Sequence, residues 1–267
     1  DFRHGRVLFA GDAAHQVSPF GARGANSGFQ DADDLMWKLG LVIKGQASEK
    51  LLDTYAMDRQ FAADENIMNS TRSTDFITPK SRTSKTFRNQ VLALAKHHPF
   101  ARKLVNSGRL SMPSFLTGSV LNTPDADALE GNMVPGAPMD DAPVQLNGQD
   151  AWLLNQVGKG FQVMLFVDAP LSPDVLAQLA SCRSAPQCAN EPVPVTPLIV
   201  TPHALDVPGI TVIVDAQGLM AKRYDAQPGT TYLLRPDQHV AARWRTLDAA
   251  KLQTALARAI GAHIGTA

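Results

Sequence analysis

Apolar and polar positions follow two different periods along this chain, and the change falls near its middle. In the first part the spacing is three and four residues. Phe29, Ala32, Met36, Leu39 and Ile43 fall on one stripe of a helix. Asp31, Asp34 and Lys38 lie off that stripe and are expected to face water or a partner. Gly45 supplies a stop. Ser48 is placed to cap a second helix, with Leu51, Leu52, Tyr55, Ala62 and Ile67 as its buried side. A third helical stretch is predicted over residues 86–106. Before these helices stands a short apolar run, Val7 to Ala10, which reads as a buried strand. Residues 1–116 are therefore predicted to be one strand followed by helices.

Between residues 117 and 150 the periodicity is lost. Pro124, Pro135, Pro138 and Pro143 arrive with Gly131 and Gly136. Proline removes a backbone donor and fixes φ, so residues 117–140 read as a linker or wrapping loop. From Trp152 onward strands and helices interleave. Strands are expected at 161–167, 197–200 and 210–214, and a helix at 172–181. A hairpin is expected from 231–235 and 240–244 around Pro236-Asp237, and a closing helix capped by Asp248 with Leu252, Leu256 and Ile260 inward. That order makes residues 141–267 a small α/β sandwich in their own right.

The 267 residues suffice for about two domains. Lys plus Arg and Asp plus Glu balance at 25 each, so no basic surplus points to nucleic acid. The longest apolar run, near Phe161 to Val167, is too short to span a bilayer. Two cysteines make no disulfide framework and favour a reducing, cytoplasmic setting. The first residue is Asp1 rather than Met, which leads to the expectation of a piece of a longer protein.

The chemistry concentrates in Gly5 to Asn26, GRVLFAGDAAHQVSPFGARGAN. One reading is bland: glycine merely permits a strand-to-helix turn. The other uses the helix end. Gly21, Ala22, Arg23, Gly24, Ala25 and Asn26 would leave unpaired N–H groups at a helix N-terminus, which favours an anion or an electron-rich oxygen. Asp12 follows a strand, where open α/β sheets place ligand contacts. A carboxylate there suits ligand hydroxyls and would repel phosphate.

This stretch resembles the second flavin motif of the FAD-dependent aromatic hydroxylases, the group A flavoprotein monooxygenases similar to para-hydroxybenzoate, phenol and polyketide hydroxylases. The residues that carry the resemblance are Gly11-Asp12-Ala13-Ala14-His15, Pro19, Gly21 to Asn26, and Asp31-Ala32-Asp33-Asp34-Leu35-Met36-Trp37-Lys38-Leu39. Tyr55-Ala56-Met57-Asp58-Arg59 is similar to the family's Tyr-x-x-Glu-Arg, with Asp58 in place of Glu. Pro135-Gly136-Ala137-Pro138 and the segments Tyr232 to Asp237 and Val240 to Trp244 resemble a C-terminal thioredoxin-like domain found in some branches. The family's first flavin motif, Gly-x-Gly-x-x-Gly, has no counterpart in these residues.

The resemblance implies an α/β fold: a partial FAD-binding domain of one strand plus helices, then a thioredoxin-like α/β domain. It implies FAD as cofactor, NAD(P)H as reductant, O2 as co-substrate and a small phenolic substrate. The longer parent would be the enzyme, and this chain alone would be inactive. Asp12 would serve the ribityl hydroxyls, the N–H groups of Ala25 and Asn26 the flavin edge, and Pro19 and Phe20 the substrate ring, with the Pro19 carbonyl able to accept from a phenol. Arg23 would either add positive charge near the flavin or form a surface ion pair. His15 could be an acid or base, or could pack behind the loop. No Ser-His-Asp set and no metal-ligand cluster is apparent.

A thiol-disulfide enzyme needs cysteines at the first helix N-terminus, where the helix dipole lowers a thiol pKa. The matching place reads Asp168-Ala169-Pro170-Leu171-Ser172. Cys182 and Cys188 lie beyond that helix and read as a loop pair. The competing reading of the whole chain is a non-catalytic thioredoxin-like module for interaction or homodimerisation.

Overall fold

The computed structural model describes residues 1–19, 22–105, 108, 112–183 and 192–264. These pack as two compact units, residues 1–33 with 56–114, and residues 34–55 with 115–267. Elements α1 (Arg23–Ile43) and α2 (Leu51–Ile77) contribute to both.

In the first unit, β1 (Arg3–His4) and β2 (Val7–Leu8) form a small antiparallel ribbon around Gly5, which takes φ +59°. The expected buried strand is thus only half of a two-stranded ribbon. Val7 is exposed, and the buried side chain of this stretch is Phe2. The predicted third helix is in fact two: α3 (Arg82–Ala95) and α4 (Pro99–Val105). Pro99 cannot continue a helix but suits the first position of a new one. Ser81 caps α3, its Oγ accepting from the Ser84 N–H at 3.1 Å.

The second unit is built on a sheet ordered β4-β3-β7-β6-β5-β8-β9. Its strands are β3 (Pro143–Leu146), β4 (Gln149–Trp152), β5 (Phe161–Phe166), β6 (Val195–Thr201), β7 (Thr211–Val214), β8 (Thr231–Leu234) and β9 (Val240–Trp244). β5, β6 and β7 run parallel, and the β3–β4 and β8–β9 hairpins pair antiparallel at either side. Helices α5 (Pro173–Ser181), α6 (Leu219–Arg223) and α7 (Ala249–Ala259) complete the unit. The strands at Phe166 and Val200 lie in one sheet with the 231–244 hairpin, as a thioredoxin-like domain requires. The β3–β4 hairpin and α6 have no counterpart in the sequence reading.

Alternation along β5 explains why its run is apolar at every position but Gln162. Phe161, Val163 and Leu165 enter one core with Ile199, Leu233, Leu252 and Leu256. Met164 and Phe166 enter the other with Leu198, Ile213, Tyr224 and Tyr232. A strand covered on both faces needs no polar side. The expected cap at Asp248 forms, its Oδ1 accepting from the N–H groups of Ala250 and Lys251 at 2.9 and 3.0 Å, and Ser172, read as the first residue of a helix, is instead the cap of α5, its Oγ accepting from the Val175 N–H.

Residues 117–140 contain no helix or strand, yet they pack closely. Leu121, Met133 and Ala137 are buried. The Gly136 N–H donates to the Val240 carbonyl at 2.7 Å, and Asp125 receives the Arg243 guanidinium. Gly136 itself takes φ +90°, and a Cβ there would sit 2.3 Å from the Leu116 carbonyl oxygen, so only glycine fits.

The faces of α1 are reversed from expectation. Asp31, Asp34 and Lys38 are 0, 2 and 0 % exposed, whereas Phe29, Met36 and Ile43 are 75, 65 and 75 % exposed. On α2, Leu51, Leu52, Tyr55 and Ala62 are buried as predicted, but Ile67 is exposed.

Candidate functional site

The loop after β2 begins with a 3-10 turn, Gly11–Ala13. Gly11 has φ +60°, and a Cβ on Gly28 would lie 3.4 Å from the Gly11 Cα. The two glycines let the loop lie directly against α1. One buried carboxylate then fixes it. Asp31 Oδ2 accepts from the Gly11 N–H at 2.9 Å and lies 2.7 Å from His15 Nε2, while Oδ1 accepts from Arg59 Nε at 2.7 Å. An ionised Asp31 can only accept, so His15 carries its proton on Nε2. The Phe2 ring stands 5.4 Å from the imidazole. His15 is thus engaged behind the loop, the packing alternative of the sequence reading.

Asp12 follows Gly11 directly, and its carboxylate is exposed. None of the described residues forms a hydrogen bond or ion pair with it. Pro19 is exposed, and its carbonyl already accepts from the Ala22 N–H at 3.1 Å, leaving one lone pair. Phe20 and Gly21 lie outside the described residues. Ala22 adopts φ +50°, and α1 starts at Arg23. The first-turn N–H groups, those of Arg23, Gly24 and Ala25 among them, have no acceptor within the helix. A Cβ on Gly24 would meet nothing within 4 Å, so the helix end is open there. Asn26 folds its side chain back, Nδ2 donating to the Ala22 carbonyl at 3.1 Å.

Arg23 is 8 % exposed, so it does not stand at the surface. Its guanidinium is buried and donates to Asn66 Oδ1 of α2 and to the Met112 carbonyl. Asn66 in turn donates to Ser27 Oγ at 2.8 Å. A buried guanidinium has five donors to satisfy, and these acceptors suit it better than a single exposed carboxylate would. The sequence reading missed Asp31 and Arg59. The signal was present, since Asp31, Asp34 and Lys38 share one helical face at spacings of three and four.

The next turn of α1 belongs to a second polar cluster. Asp34 Oδ2 accepts from Lys38 Nζ and Oδ1 from Arg235 Nη2, each at 2.9 Å. Arg235 also donates from Nε to Asp237 Oδ1 at 3.0 Å, and its guanidinium lies 5.4 Å from the Trp37 ring centre. Burial alone would raise the Asp237 carboxyl, but the Arg235 and His239 charges beside it hold it well below the ordinary carboxylate range.

Cys182 is buried at the end of α5, and burial pushes its thiol up, away from thiolate chemistry. Cys188 lies outside the described residues. Among those described, no helix is long and apolar enough to cross a membrane.

Residues 1–70 match the FAD binding domain family. The whole chain is 33% identical over 264 residues to a 3-(3-hydroxy-phenyl)propionate/3-hydroxycinnamic acid hydroxylase of Mycobacterium sp. (strain JLS), covering 96% of this chain and 44% of that protein. Over nearly its full length the chain is thus similar to hydroxylases of aromatic acids, and its first 70 residues to an FAD binding domain. A hydroxylase of the same description from Escherichia coli O139:H28 is 30% identical over 243 residues, 90% of this chain and 43% of its own length. The chain spans less than half the length of these curated relatives. Its fold is that of the flavin-dependent monooxygenase PieE, solved in complex with FAD and substrate, with TM-score 0.72 and 21% identity over 97% of this chain and 48% of that one. Aklavinone-11 hydroxylase, solved as a ternary complex with FAD and aklavinone, gives TM-score 0.64 at 23% identity, covering 97% of this chain and 44% of that one.

Proposed function

We propose that the loop from Gly11 to Asn26 forms one wall of an FAD site in an aromatic-ring monooxygenase. The reading includes NAD(P)H as reductant, O2 as co-substrate, a small phenolic substrate and a cytoplasmic setting. The observation that carries it is Asp12, an exposed carboxylate without a partner among the described residues, on a loop pinned by buried Asp31. A fixed, unpartnered acceptor suits hydroxyl donors, and the open first turn of α1 offers N–H groups beside a residue without a side chain. These features fit the ribityl chain and the pyrimidine edge of a flavin.

In this reading Asp12 accepts hydrogen bonds from the ribityl hydroxyls. The N–H groups of Gly24, Ala25 and Asn26 face the flavin edge, where the positive end of α1 favours negative charge by up to ~2 kcal/mol. Asp31, His15 and Arg59 hold the loop in place, and Arg23 ties the start of α1 to α2. Pro19 and Phe20 border the substrate ring and help exclude water. FAD, when bound, supplies the redox chemistry that couples NAD(P)H oxidation to hydroxylation. The thioredoxin-like unit performs no thiol chemistry here. It serves a homodimer interface, for which the exposed Trp152 on edge strand β4 offers apolar surface.

The Gly-x-Gly-x-x-Gly turn is not among these 267 residues, so the chain alone is expected to be inactive and to hold FAD weakly. Equilibrium dialysis at high FAD concentration tests the site. Weak, saturable binding should fall by about tenfold or more in Asp12→Ala, the size of one charge-assisted hydrogen bond, with an unchanged melting temperature. Binding that survives the substitution, or a lowered melting temperature with no loss of affinity, would make Asp12 a structural cap instead.

A further inference from the structure

A cavity in the second unit takes no part in the chemistry described so far. It encloses about 150 Å³ at the carboxyl ends of the parallel strands β5 and β6. Phe166, Val200, Ala221 and Ala226 supply apolar walls. An apolar cavity of about this volume accepts a benzene-sized body. In open α/β sheets the carboxyl ends of parallel strands are the usual ligand position. A thioredoxin-type enzyme would place its thiols in this neighbourhood, but the chain carries Asp168-Ala169-Pro170 there.

The decisive group is Asp215, which lines the cavity and is 3 % exposed. Its backbone N–H donates to the Thr201 carbonyl, and its Oδ2 accepts from the Ala221 N–H, both at 2.8 Å. Those bonds lock the side chain. Oδ1 has no partner among the described residues. A buried carboxylate oxygen without a donor is costly, and a ligand donor would remove that cost. The other charged residue of the lining is also a carboxylate, Asp168, exposed at the rim. None of the lining residues is cationic.

We propose that this cavity binds a small organic ammonium ion with a benzene-sized apolar body. The ammonium donates to Asp215 Oδ1, Asp168 adds attraction at the rim, and the body packs on Phe166 and Ala226. A neutral donor would satisfy Oδ1 but leave both negative charges uncompensated, so the charge pattern selects the cation. The site is independent of the flavin reading, since all its residues belong to the second unit.

Titration of the 267-residue chain with benzylamine, benzyl alcohol and toluene tests it, followed by amide shifts and calorimetry. Benzylamine should bind saturably at one site in the millimolar range or tighter, with shifts at Thr201, Asp215 and Ala221. Benzyl alcohol should bind about tenfold more weakly and toluene more weakly still, the step expected for one charge-assisted hydrogen bond. Asp215→Asn should abolish the preference for the amine. Asp168→Asn, at an exposed position that leaves the fold intact, should weaken benzylamine by about two- to fivefold, and less at high salt. If Asp215→Asn does not fold, the wild-type preference and the Asp168→Asn effect still decide. Absence of saturable binding, equal affinity for amine and alcohol, or benzylamine shifts confined to other residues would overturn the proposal.

Discussion

Helices α1 and α7 carry the same kind of pattern and bury opposite faces. In α7 the apolar residues Leu252 and Leu256, with Ile260 just past its end, turn inward against the sheet, and Asp248 caps the start. In α1 the apolar residues Phe29, Met36 and Ile43 face solvent while Asp31, Asp34 and Lys38 are buried. Periodicity states which side chains share a face. It does not state which face meets the interior, because a charged face can also be buried if every charge finds a counter-charge. For the carboxylates of α1 it does: Asp31 meets Arg59 and His15, and Asp34 meets Lys38 and Arg235.

The largest expected effect comes from breaking that pairing. Asp34→Ala removes a carboxylate shared by two fully buried cations, and should cost about 3–5 kcal/mol in urea unfolding. A cost under about 1 kcal/mol would mean that ion pairing does not determine the orientation of α1. On the apolar side of the comparison, Leu256→Ala should cost about 2–5 kcal/mol through lost transfer energy and an unfilled cavity. A near-neutral result would show that α7 is held by its cap rather than by its core face.

Alkaline pH creates a charge whose burial cost outweighs the nearby Arg243 guanidinium. Tyr232 donates to the Tyr224 carbonyl inside the apolar core, and burial pushes its phenol up to about 12. The unfolded phenol ionises near pH 10, so between about pH 10 and 12 the unfolded state binds fewer protons and stability falls as pH rises. The loss should reach roughly 2–3 kcal/mol, and Tyr232→Phe should remove that part of the pH slope. An identical slope in the variant would assign it elsewhere. The smallest effect belongs to the exposed stripe. Met36→Lys should shift stability by no more than about 0.5 kcal/mol, and a loss above 1 kcal/mol would mean that this face is covered in solution.

The same distinction separates the legible from the illegible parts of the candidate site. The Gly-rich loop, the exposed Asp12 and the helix start near Ala25 could be read directly, because they depend on residues adjacent in sequence. The role of Asp31 could not. Its carboxylate works through Gly11, 20 residues earlier, and Arg59, 28 residues later. Arg23 shows the same limit. An arginine in a glycine-rich loop suggests a surface charge, but Asn66 lies 43 residues away and Met112 lies 89 residues away. The break between α3 and α4 was written in the sequence as Pro99, and a helical window spanning it concealed a local rule.

By itself the sequence determined the β5, β6, β8 and β9 strands, the cap at Asp248, the inward face of α7 and the glycine-rich loop before α1. Each follows from backbone preference, short-range hydrogen bonding or a run of apolar side chains within one element. The tertiary structure alone decided that α1 turns its charges inward. The partner that makes this possible for Asp34 is Arg235, 201 residues away, and no local period encodes a counter-charge at that distance.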